Sequence, residues 1–333
     1  MTEKKHALIV GKPFVSSSTR ERLHSFFHQV TYCSNAEFMA ARRDHIKNKD
    51  FLWIHVETRM LESDLTSLKE GAVLASTSTG TTHVPNRFLE ELKERFVFLK
   101  GESNLLREVS STAELAWFFV LASRTNALSA SSHVQSGIWD RSAHLRKTQV
   151  RNTVVGVIGF GRLGEMLAGF AKAFGCRVLV VDINQKARLE AERLGYETLN
   201  TLKEIFETCQ VVSVHVDTVQ GSNPIITKEI FSSATKDLCL VNTSRGSVVD
   251  EDAIVQAIDN SFLGSYYTDV LEFEENSGNL TDSRIWKKSL EDSRVFVTPH
   301  IGGASLDAME MCEQNILSRV ESLIGKSWPI LGD

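Results

Sequence analysis

The sequence has little that would place this protein in a membrane or on nucleic acid. No apolar run approaches the length that spans a bilayer, and only four apolar residues stand between His6 and Gly11, too few for the core of a signal peptide. The net charge is −5, and no block of consecutive basic residues occurs. We therefore predict a cytoplasmic protein whose partner is a small molecule, with neither nucleic acid nor a membrane as a partner.

Cysteine is also scarce, and its spacing is uninformative as a motif. The five cysteines stand at positions 33, 176, 209, 239 and 312, without a C-x-x-C pair. Three of them lie in or beside apolar runs that are typical of strands. Buried free thiols are therefore favoured over disulfides or a metal site, and we predict no metal.

The sequence contains no internal repeat and no low-complexity tract. A chain of 333 residues is longer than a single hydrophobic core usually supports, which indicates two domains. Short apolar runs alternate with amphipathic ones, for example 7–10 with 19–30 and then 51–56, as in βαβ units of parallel sheets. Residues 111–129 are predicted to form one apolar helix that crosses between domains, with Ser111 to Glu114 as its capping sequence. Residues 305–324 form a second long amphipathic helix, which would reach back to the first domain.

The most informative stretch is residues 153–164, where a β-branched run breaks into Gly159, Gly161 and Gly164. The spacing is G-x-G-x-x-G, and an amphipathic segment follows directly, which predicts a strand, a tight turn and a helix. Such a turn would bring the backbone to a pyrophosphate at the helix N-terminus. Asp182 closes the next apolar run, where a dinucleotide fold needs an acceptor for the ribose hydroxyls. The alternative is a glycine-rich loop between packed elements, which the flanking strands, helix and acid make less favoured.

Three polar residues follow other predicted parallel strands: Arg245, Glu274 and His300. Carboxyl ends of parallel strands meet at one edge of a sheet, so the three residues form a candidate acid–base set. An imidazole can exchange the proton of a hydroxyl, a carboxylate on its other nitrogen favours the imidazolium, and a guanidinium matches a substrate carboxylate. Taken singly, each is also explained as a surface charge or a loop residue. In the first region, the loop 76–82 follows a strand, and on spacing alone it is equally a ligand loop or an ordinary turn.

At these residues the chain resembles the D-isomer-specific 2-hydroxyacid dehydrogenases. The likeness spans about residues 75–310, and the matching segments are 80–83, 112–114, 157–164, 241–250, 268–270 with Glu274, and 298–303. The resemblance implies an α/β fold of two doubly wound parallel-sheet domains. A Rossmann NAD-binding domain at 111–301 would be inserted into a flavodoxin-like substrate domain at 1–110 and 302–333, with the active site in the cleft between them.

The resemblance also implies an NAD-dependent oxidoreductase that transfers a hydride between NAD and a 2-hydroxy or 2-oxo acid, and a homodimer built on the cofactor domains. Arg245 would anchor the substrate together with the backbone near Thr79 and Gly80, His300 would be the acid and base, and Glu274 its partner. The predicted cofactor site contains Gly159, Gly161, Arg162, Leu163, Asp182, His215, Thr243 and Asp269, the last as a contact to the nicotinamide carboxamide.

Some positions depart from the family pattern. Asp217 stands where Pro is usual, Thr82 where Asp is common, Leu115 where His is common, and Glu275 follows Glu274 in place of Pro. The register around Glu274 is therefore open, with Glu272 and Glu275 as alternatives. Two other functions are less favoured: formate oxidation, for which the family uses Gln at position 274, and NAD sensing by a protein that resembles the related corepressors.

The substrate itself is not specified by these motifs. Lys100 and Arg107 follow a strand of the first domain and would suit a second anionic group on the substrate, such as a phosphate or a distal carboxylate. The alternative, that both are solvated loop charges, is slightly favoured.

Overall fold

The alternation of apolar and amphipathic segments corresponds to two parallel sheets with helices around each. A computed structural model describes residues 4–11, 16–81, 83–99, 103–146, 148–216, 223–274 and 279–326. Its strands are β1 His6–Val10, β2 Gln29–Cys33, β3 Phe51–Ile54, β4 Val73–Ser76, β5 Phe96–Val97, β6 Val154–Ile158, β7 Arg177–Val181, β8 Glu197–Thr198, β9 Val211–Val214, β10 Cys239–Asn242, β11 Ser265–Thr268 and β12 Val295–Val297.

The helices lie between the strands, as the pattern predicts. They are α1 Ser17–Phe26, α2 Asn35–Ala40, α3 Arg42–Ile46, α4 Glu62–Leu65, α5 Asn86–Leu92, α6 Ser103–Arg107, α7 Ser111–Thr125, α8 Ala127–Gln135, α9 Arg162–Ala173, α10 Gln185–Arg193, α11 Leu202–Thr208, α12 Lys228–Phe231, α13 Glu251–Asp259, α14 Arg284–Glu291 and α15 Leu306–Lys326. Among the described residues, no helix is both long and apolar enough to cross a membrane.

The chain divides into two compact units, and the division is not sequential. The first unit comprises residues 1–109 and 304–333, and the second comprises residues 110–303. These limits lie within two residues of the predicted domain limits. The second unit is thus an insertion into the first.

The first unit contains a parallel sheet with the strand order β2-β1-β3-β4-β5. This is the flavodoxin-like order, and β1 and β3 flank the point where the order reverses. Successive residues of β1 face opposite cores, Ala7 and Ile9 on one side and Leu8 and Val10 on the other. Both faces are buried, which is why the strand is a continuous apolar run. The helix α15 covers one of these faces.

The second unit contains a parallel sheet with the order β12-β11-β10-β9-β6-β7-β8. Read from β8, this is a Rossmann order extended by one strand, and the order reverses between β6 and β9. The predicted fold class is therefore confirmed. Polar residues that follow β6, β9, β10, β11 and β12 share one edge of this sheet, because all these pairs are parallel.

Three details of the sequence prediction were wrong. The amphipathic segment 19–30 is not one helix, because α1 ends at Phe26 and the chain enters β2 at Gln29. This edge strand has a polar, half-buried pattern, which conceals it from an apolar-run criterion.

The helix predicted at 111–129 is interrupted at Asn126, whose φ is +55°. Asparagine tolerates this left-handed conformation better than most residues, so the chain bends there and α8 begins. At the start of α7, the hydroxyl of Ser110 donates to Glu114 Oε1 at 2.5 Å. Ser111 Oγ is buried and has no hydrogen-bond partner among the described residues, so the predicted cap does not form.

Candidate active site

The glycine turn joins β6 to α9, and each glycine has its own steric reason. Gly159 has a φ of +90°, and a Cβ there would lie 2.7 Å from the carbonyl oxygen of His215. At Gly164 a Cβ would lie 2.0 Å from the carbonyl oxygen of Gly159, so only glycine allows the helix to pack this closely. A Cβ on Gly161 would meet nothing within 4 Å, so the protein itself does not require glycine at this position.

The start of α9 offers hydrogen-bond donors at the same place. Gly161 is the N-cap residue and provides no side-chain cap to the helix, whose first residues are Arg162 and Leu163. The first N–H groups of a helix have no partner within the helix, and the helix dipole places partial positive charge there. These groups are suited to the phosphates of a dinucleotide.

Asp182 follows β7 and is tied to the glycine turn. Its Oδ2 accepts the backbone N–H of Phe160 at 2.7 Å, and its Oδ1 accepts the N–H of Asn184 at 2.7 Å. The guanidinium of Arg188 donates to the backbone carbonyl of Asp182 at 2.7 Å. The carboxylate thus stands where a ribose acceptor is predicted. It also stabilises the turn, a second role that spacing does not indicate.

Two buried polar atoms at the same edge of this sheet have no hydrogen-bond partner among the described residues: Nδ1 of His215, after β9, and Oγ1 of Thr243, after β10. The other ring nitrogen of His215 pairs with Ser213 Oγ at 2.8 Å. Burial lowers the pKa of His215 to about 4, so the ring is neutral at physiological pH. Buried polar groups are normally satisfied, and a bound polar ligand would satisfy these two. With the open Gly161 and the uncapped helix, they fit a nicotinamide dinucleotide.

His300 and Glu274 are in direct contact. The carboxylate oxygen Oε2 of Glu274 accepts a hydrogen bond from Nδ1 of His300 at 2.5 Å, and Oε1 accepts the backbone N–H of Leu271 at 2.6 Å. The hydrogen bond to Glu274 is the main cause of the raised pKa of His300, while burial and the charge of Arg245 oppose the rise. The structure therefore brings Glu274 to the imidazole. Glu272 heads the same short 3₁₀ turn, and Glu275 lies outside the described residues.

The backbone of His300 adopts an unusual conformation that Asp269 holds. The φ of His300 is +54°, and its N–H donates to the backbone carbonyl of Asp269 at 2.9 Å. The Asp269 carboxylate accepts the hydroxyl of Thr298 at 2.5 Å, the N–H of Ile301 at 2.8 Å and the N–H of Gly302 at 2.7 Å. Burial raises the pKa of Asp269, and these hydrogen bonds oppose that rise. The nicotinamide contact of Asp269 stays a prediction, and its hold on the loop is a role that the sequence did not reveal.

Arg245 follows β10 and is half-buried. Its guanidinium donates to the carbonyl of Ser244 at 2.7 Å, and the side chain of buried Asn242 donates to the carbonyl of Arg245 at 2.9 Å. Among the described residues, no carboxylate lies within 4.0 Å of this guanidinium. Because its charge lowers the pKa of His300, it acts on the same site. The arginine is thus placed to bind an anion, and Asn242, which shapes its loop, was missed from the sequence.

Gly246 is a further residue whose role was not predicted from the sequence. A Cβ there would lie 2.1 Å from the carbonyl carbon of Leu271 and 2.3 Å from the backbone nitrogen of Glu272. The backbone after Arg245 therefore packs directly against the turn that carries Glu274. The signal was present in the sequence as Arg-Gly after a strand, but only the contact explains it.

The predicted substrate loop follows β4 in the first unit. Thr79 is exposed and Gly80 half-buried after β4. The hydroxyl of Ser78 donates to the carbonyl of Gly80 at 2.7 Å, and Ser76 Oγ lies 3.0 Å from Nε2 of buried His83. These contacts shape the loop, and its substrate role stays a prediction.

The remaining predicted positions are only partly described. Leu115 packs against the core of the second unit, and Arg107 ends α6 with an exposed side chain. Thr82, Lys100 and Asp217 lie outside the described residues. In the described part of the chain, no group of three or more His, Cys, Asp or Glu residues could hold a metal ion.

Comparison with known proteins agrees with this geometry. Residues 117–302 match the NAD binding domain of the D-isomer specific 2-hydroxyacid dehydrogenases. The chain is 27% identical over 299 residues to the D-3-phosphoglycerate dehydrogenase of Haemophilus influenzae, covering 89% of this chain and 69% of that protein. It is 25% identical over 281 residues to the hydroxypyruvate reductase of Thermotoga maritima, covering 84% of this chain and 86% of that protein.

Some related phosphoglycerate dehydrogenases are much longer. The matched region spans 48% of the Bacillus subtilis enzyme and 40% of the Mycobacterium leprae enzyme. In three dimensions, the D-lactate dehydrogenase of Aquifex aeolicus, solved with NAD and lactic acid, covers 96% of both chains with a TM-score of 0.79 and 21% identity. The family match and these relatives confirm NAD as the cofactor and favour the enzyme over the NAD-sensing alternative. The chain belongs to the D-isomer specific 2-hydroxyacid dehydrogenases, which transfer a hydride between NAD and a 2-hydroxy or 2-oxo acid.

Proposed function

We propose that this protein reduces a 2-oxo acid to the D-2-hydroxy acid with NADH, and catalyses the reverse oxidation, with His300 as the acid and base. The observation that carries the proposal is the 2.5 Å contact between His300 Nδ1 and Glu274 Oε2 on a half-exposed imidazole, in the same unit as a complete dinucleotide turn. A carboxylate on one ring nitrogen leaves the other, Nε2, as the proton-exchanging atom.

In the reduction, NAD in its reduced form supplies the hydride when bound. The imidazolium of His300 donates the Nε2 proton to the carbonyl oxygen of the substrate as negative charge develops there. Glu274 stabilises the imidazolium, and its hydrogen bond holds the ring orientation. Arg245 binds the substrate carboxylate with its planar guanidinium. In the oxidation, the neutral imidazole accepts the proton of the hydroxyl.

The proposed cofactor contacts are the glycine turn with the N–H groups of Arg162 and Leu163 for the phosphates, Asp182 for the ribose, and His215, Thr243 and Asp269 toward the nicotinamide half. The proposed substrate contacts, besides Arg245, are the backbone groups of Thr79 and Gly80.

The test is NADH oxidation with a panel of 2-oxo acids, including phosphorylated ones, in the wild type and in His300→Ala. The variant should bind NADH normally and lose about 10²- to 10⁴-fold in turnover, the usual contribution of a positioned acid or base. A protein that only senses NAD would bind NADH without consuming it on any acid of the panel. Full turnover by His300→Ala would exclude this histidine as the acid.

The pH dependence of kcat/KM for reduction tests the role of Glu274 as the partner of His300. Because the hydrogen bond to Glu274 raises the pKa of His300, reduction by the wild type should remain fast to a higher pH than an ordinary histidine allows. Glu274→Gln removes the counter-charge and lowers that pKa, so the alkaline fall of kcat/KM for reduction should move to lower pH. An unchanged profile would move the role to Glu272 or Glu275.

We further propose that the protein is a homodimer built on the second unit. Four apolar side chains in α8 and the segment that follows it are well exposed: Val134, Ile138, Trp139 and Leu145, with Trp139 at 91% and Leu145 at 73%. An exposed apolar group of this size is typical of an interface between subunits. Trp139→Asp should convert the dimer to monomers in sedimentation, whereas Leu290→Asp, a matched control at an exposed site on α14, should not. A monomeric wild type would contradict the proposal.

The proposed location is the cytoplasm. All five cysteines are buried free thiols, as is usual in a reducing compartment. Cell fractionation with an antibody against the protein would test this location.

A further inference from the structure

Glu251 is a buried carboxylate for which the proposed reaction has no role. It is the first residue of α13, and only 7% of it is exposed. Its Oε2 accepts the hydroxyl of Ser283 at 2.9 Å and the backbone N–H groups of Arg284 at 2.9 Å and Ile285 at 3.3 Å. Its Oε1 accepts the backbone N–H of Glu272 at 3.2 Å. One carboxylate therefore connects α13, the start of α14 and the short turn that begins at Glu272.

Burying a carboxylate is costly, and helix capping alone does not account for this one. The side chain of Asp250 already caps α13 by accepting the N–H of Ala253 at 3.0 Å. The hydroxyl of Ser283 already caps α14 by accepting the N–H of Trp286 at 3.1 Å. The partial positive charge at the start of α14 offsets the charge of Glu251. What remains to be explained is its contact with Glu272.

Glu272 is the first residue of the 3₁₀ turn Glu272–Glu274. The peptide group between Leu271 and Glu272 lies between two parts of one segment, with Gly246 packed against it and Glu251 accepting its N–H. Two residues further on, Glu274 extends to His300 and accepts the N–H of Leu271. The turn that carries the partner of the histidine is thus held at its base by the segment that also carries Arg245.

We propose that Glu251 is a positioning residue, which holds the 272–274 turn so that the carboxylate of Glu274 stays on Nδ1 of His300. The inference rests on the proposed function. Without the carboxylate of Glu251, the N–H of Glu272 loses this acceptor and the turn is held less firmly. Glu274 then spends less time on the imidazole, which becomes a weaker base and a less well oriented acid.

The test compares Glu251→Gln with Glu274→Gln in the full-length protein with NADH and a 2-oxo acid that the wild type reduces. The amide has the same shape as the carboxylate but presents an NH₂ group to N–H donors. We expect kcat for reduction to fall by about 5- to 100-fold, as for a misplaced catalytic group. The alkaline limb of the profile should move to lower pH, as in Glu274→Gln, while NADH affinity stays that of the wild type.

The matched control is Asp250→Asn, which weakens the cap of the same helix and leaves the contact with Glu272 untouched. It should lower the melting temperature and keep the wild-type pH profile. If Glu251→Gln does not fold, Glu251→Asp is judged by the same criteria, because its shorter chain cannot reach both Glu272 and α14.

Two outcomes separate the inference from the reaction on which it rests. A wild-type pH profile in the folded Glu251 variant, beside a shifted profile in Glu274→Gln, would overturn the positioning role, even if the melting temperature falls. An unshifted profile in Glu274→Gln itself would instead contradict the part of the proposed function on which the inference rests, the role of Glu274 as the partner of His300.

Discussion

His300 has a φ of +54°, a conformation that non-glycine residues adopt at a cost of about 1 kcal/mol or more. The sequence placed His300 after a strand and between Pro299 and Gly302, but it gave no sign of the carboxylate of Asp269 that holds the loop. Strand ends can be predicted from apolar runs. Contacts that form only when a loop closes cannot, and this is why Asp269 and Gly246 gained roles that only the structure reveals.

Sequence patterns also could not decide which of Glu272, Glu274 and Glu275 is the partner of His300. Three neighbouring acids on an irregular segment cannot be ranked by periodicity, because a 3₁₀ turn directs each one differently. The structure brings Glu274 to the imidazole.

At Asp182 we predict a preference for NADH over NADPH, because a carboxylate accepts ribose hydroxyls and repels a 2′-phosphate. Asp182→Ser should narrow the ratio of the two dissociation constants, because it removes the carboxylate that repels the 2′-phosphate. Fluorescence titration of both dinucleotides at equal ionic strength measures the ratio. Equal affinities in the wild type would contradict this assignment.

Arg107 offers a prediction about substrate size. It is an exposed cation at the end of α6. The hypothesis is that it binds a second anionic group on the substrate. If the hypothesis holds, the wild type should have a higher kcat/KM for a phosphorylated or dicarboxylic 2-oxo acid than for pyruvate. Arg107→Ala should lose that preference selectively. Equal loss on both substrates, or no loss, would mean that Arg107 is a solvated charge.

Among the elements, the glycine turn allows two substitutions with opposite expectations. Gly164→Ala places a methyl group 2.0 Å from a carbonyl oxygen, so the free energy of unfolding should fall by about 1–3 kcal/mol or more. Gly161→Ala meets no atom within 4 Å, so the protein without cofactor should keep its stability while NADH binding weakens. Thermal unfolding and NADH titration of both variants check this. A stable Gly161→Ala with unchanged NADH affinity would place the pyrophosphate elsewhere.

The connection from α14 to β12 makes stability depend on pH. The hydrogen bond from Arg294 is the main cause that lowers the pKa of Asp292 to about 2, below its unfolded value near 3.9. A lowered pKa contributes stability above the unfolded value, and this contribution is lost as pH falls toward the folded value. Asp292→Asn should therefore cost about 1 kcal/mol at neutral pH, and the difference from the wild type should narrow between about pH 5 and pH 3. If the difference in the free energy of unfolding stays constant over this pH range, the loss of stability in Asp292→Asn has a cause other than the charge of Asp292.

For the whole molecule, the order of elements could be predicted from alternating patterns, because buried parallel strands are continuous apolar runs. The insertion of one unit into the other was expected only from the family resemblance. Elements without the pattern of apolar runs could not be predicted. The edge strand β2 is polar, β8 has only two residues, and the break at Asn126 depends on a single left-handed residue.

The insertion also predicts how the chain responds to truncation. Ile316, Leu317 and Val320 of α15 are fully buried against the sheet of the first unit. A chain that ends at residue 303 should therefore lose the structure of residues 1–109 and still bind NADH through the second unit, which is continuous in sequence. Limited proteolysis and NADH titration of that fragment measure the two effects. Loss of NADH binding together with the first unit would show that the two units fold as one.

This arrangement has a consequence for the timing of synthesis. The strands β1, β3 and β4 leave the ribosome early, but the helix that covers one of their apolar faces is translated only after residues 110–303. At about 5–20 residues per second, that face waits on the order of ten seconds or more for its cover, while the inserted unit has everything it needs to fold. The nascent protein thus passes through a stage in which the inserted unit can already be folded while residues 1–109 still expose an apolar face. Chaperones that shield apolar surface would act on these residues, which are made first.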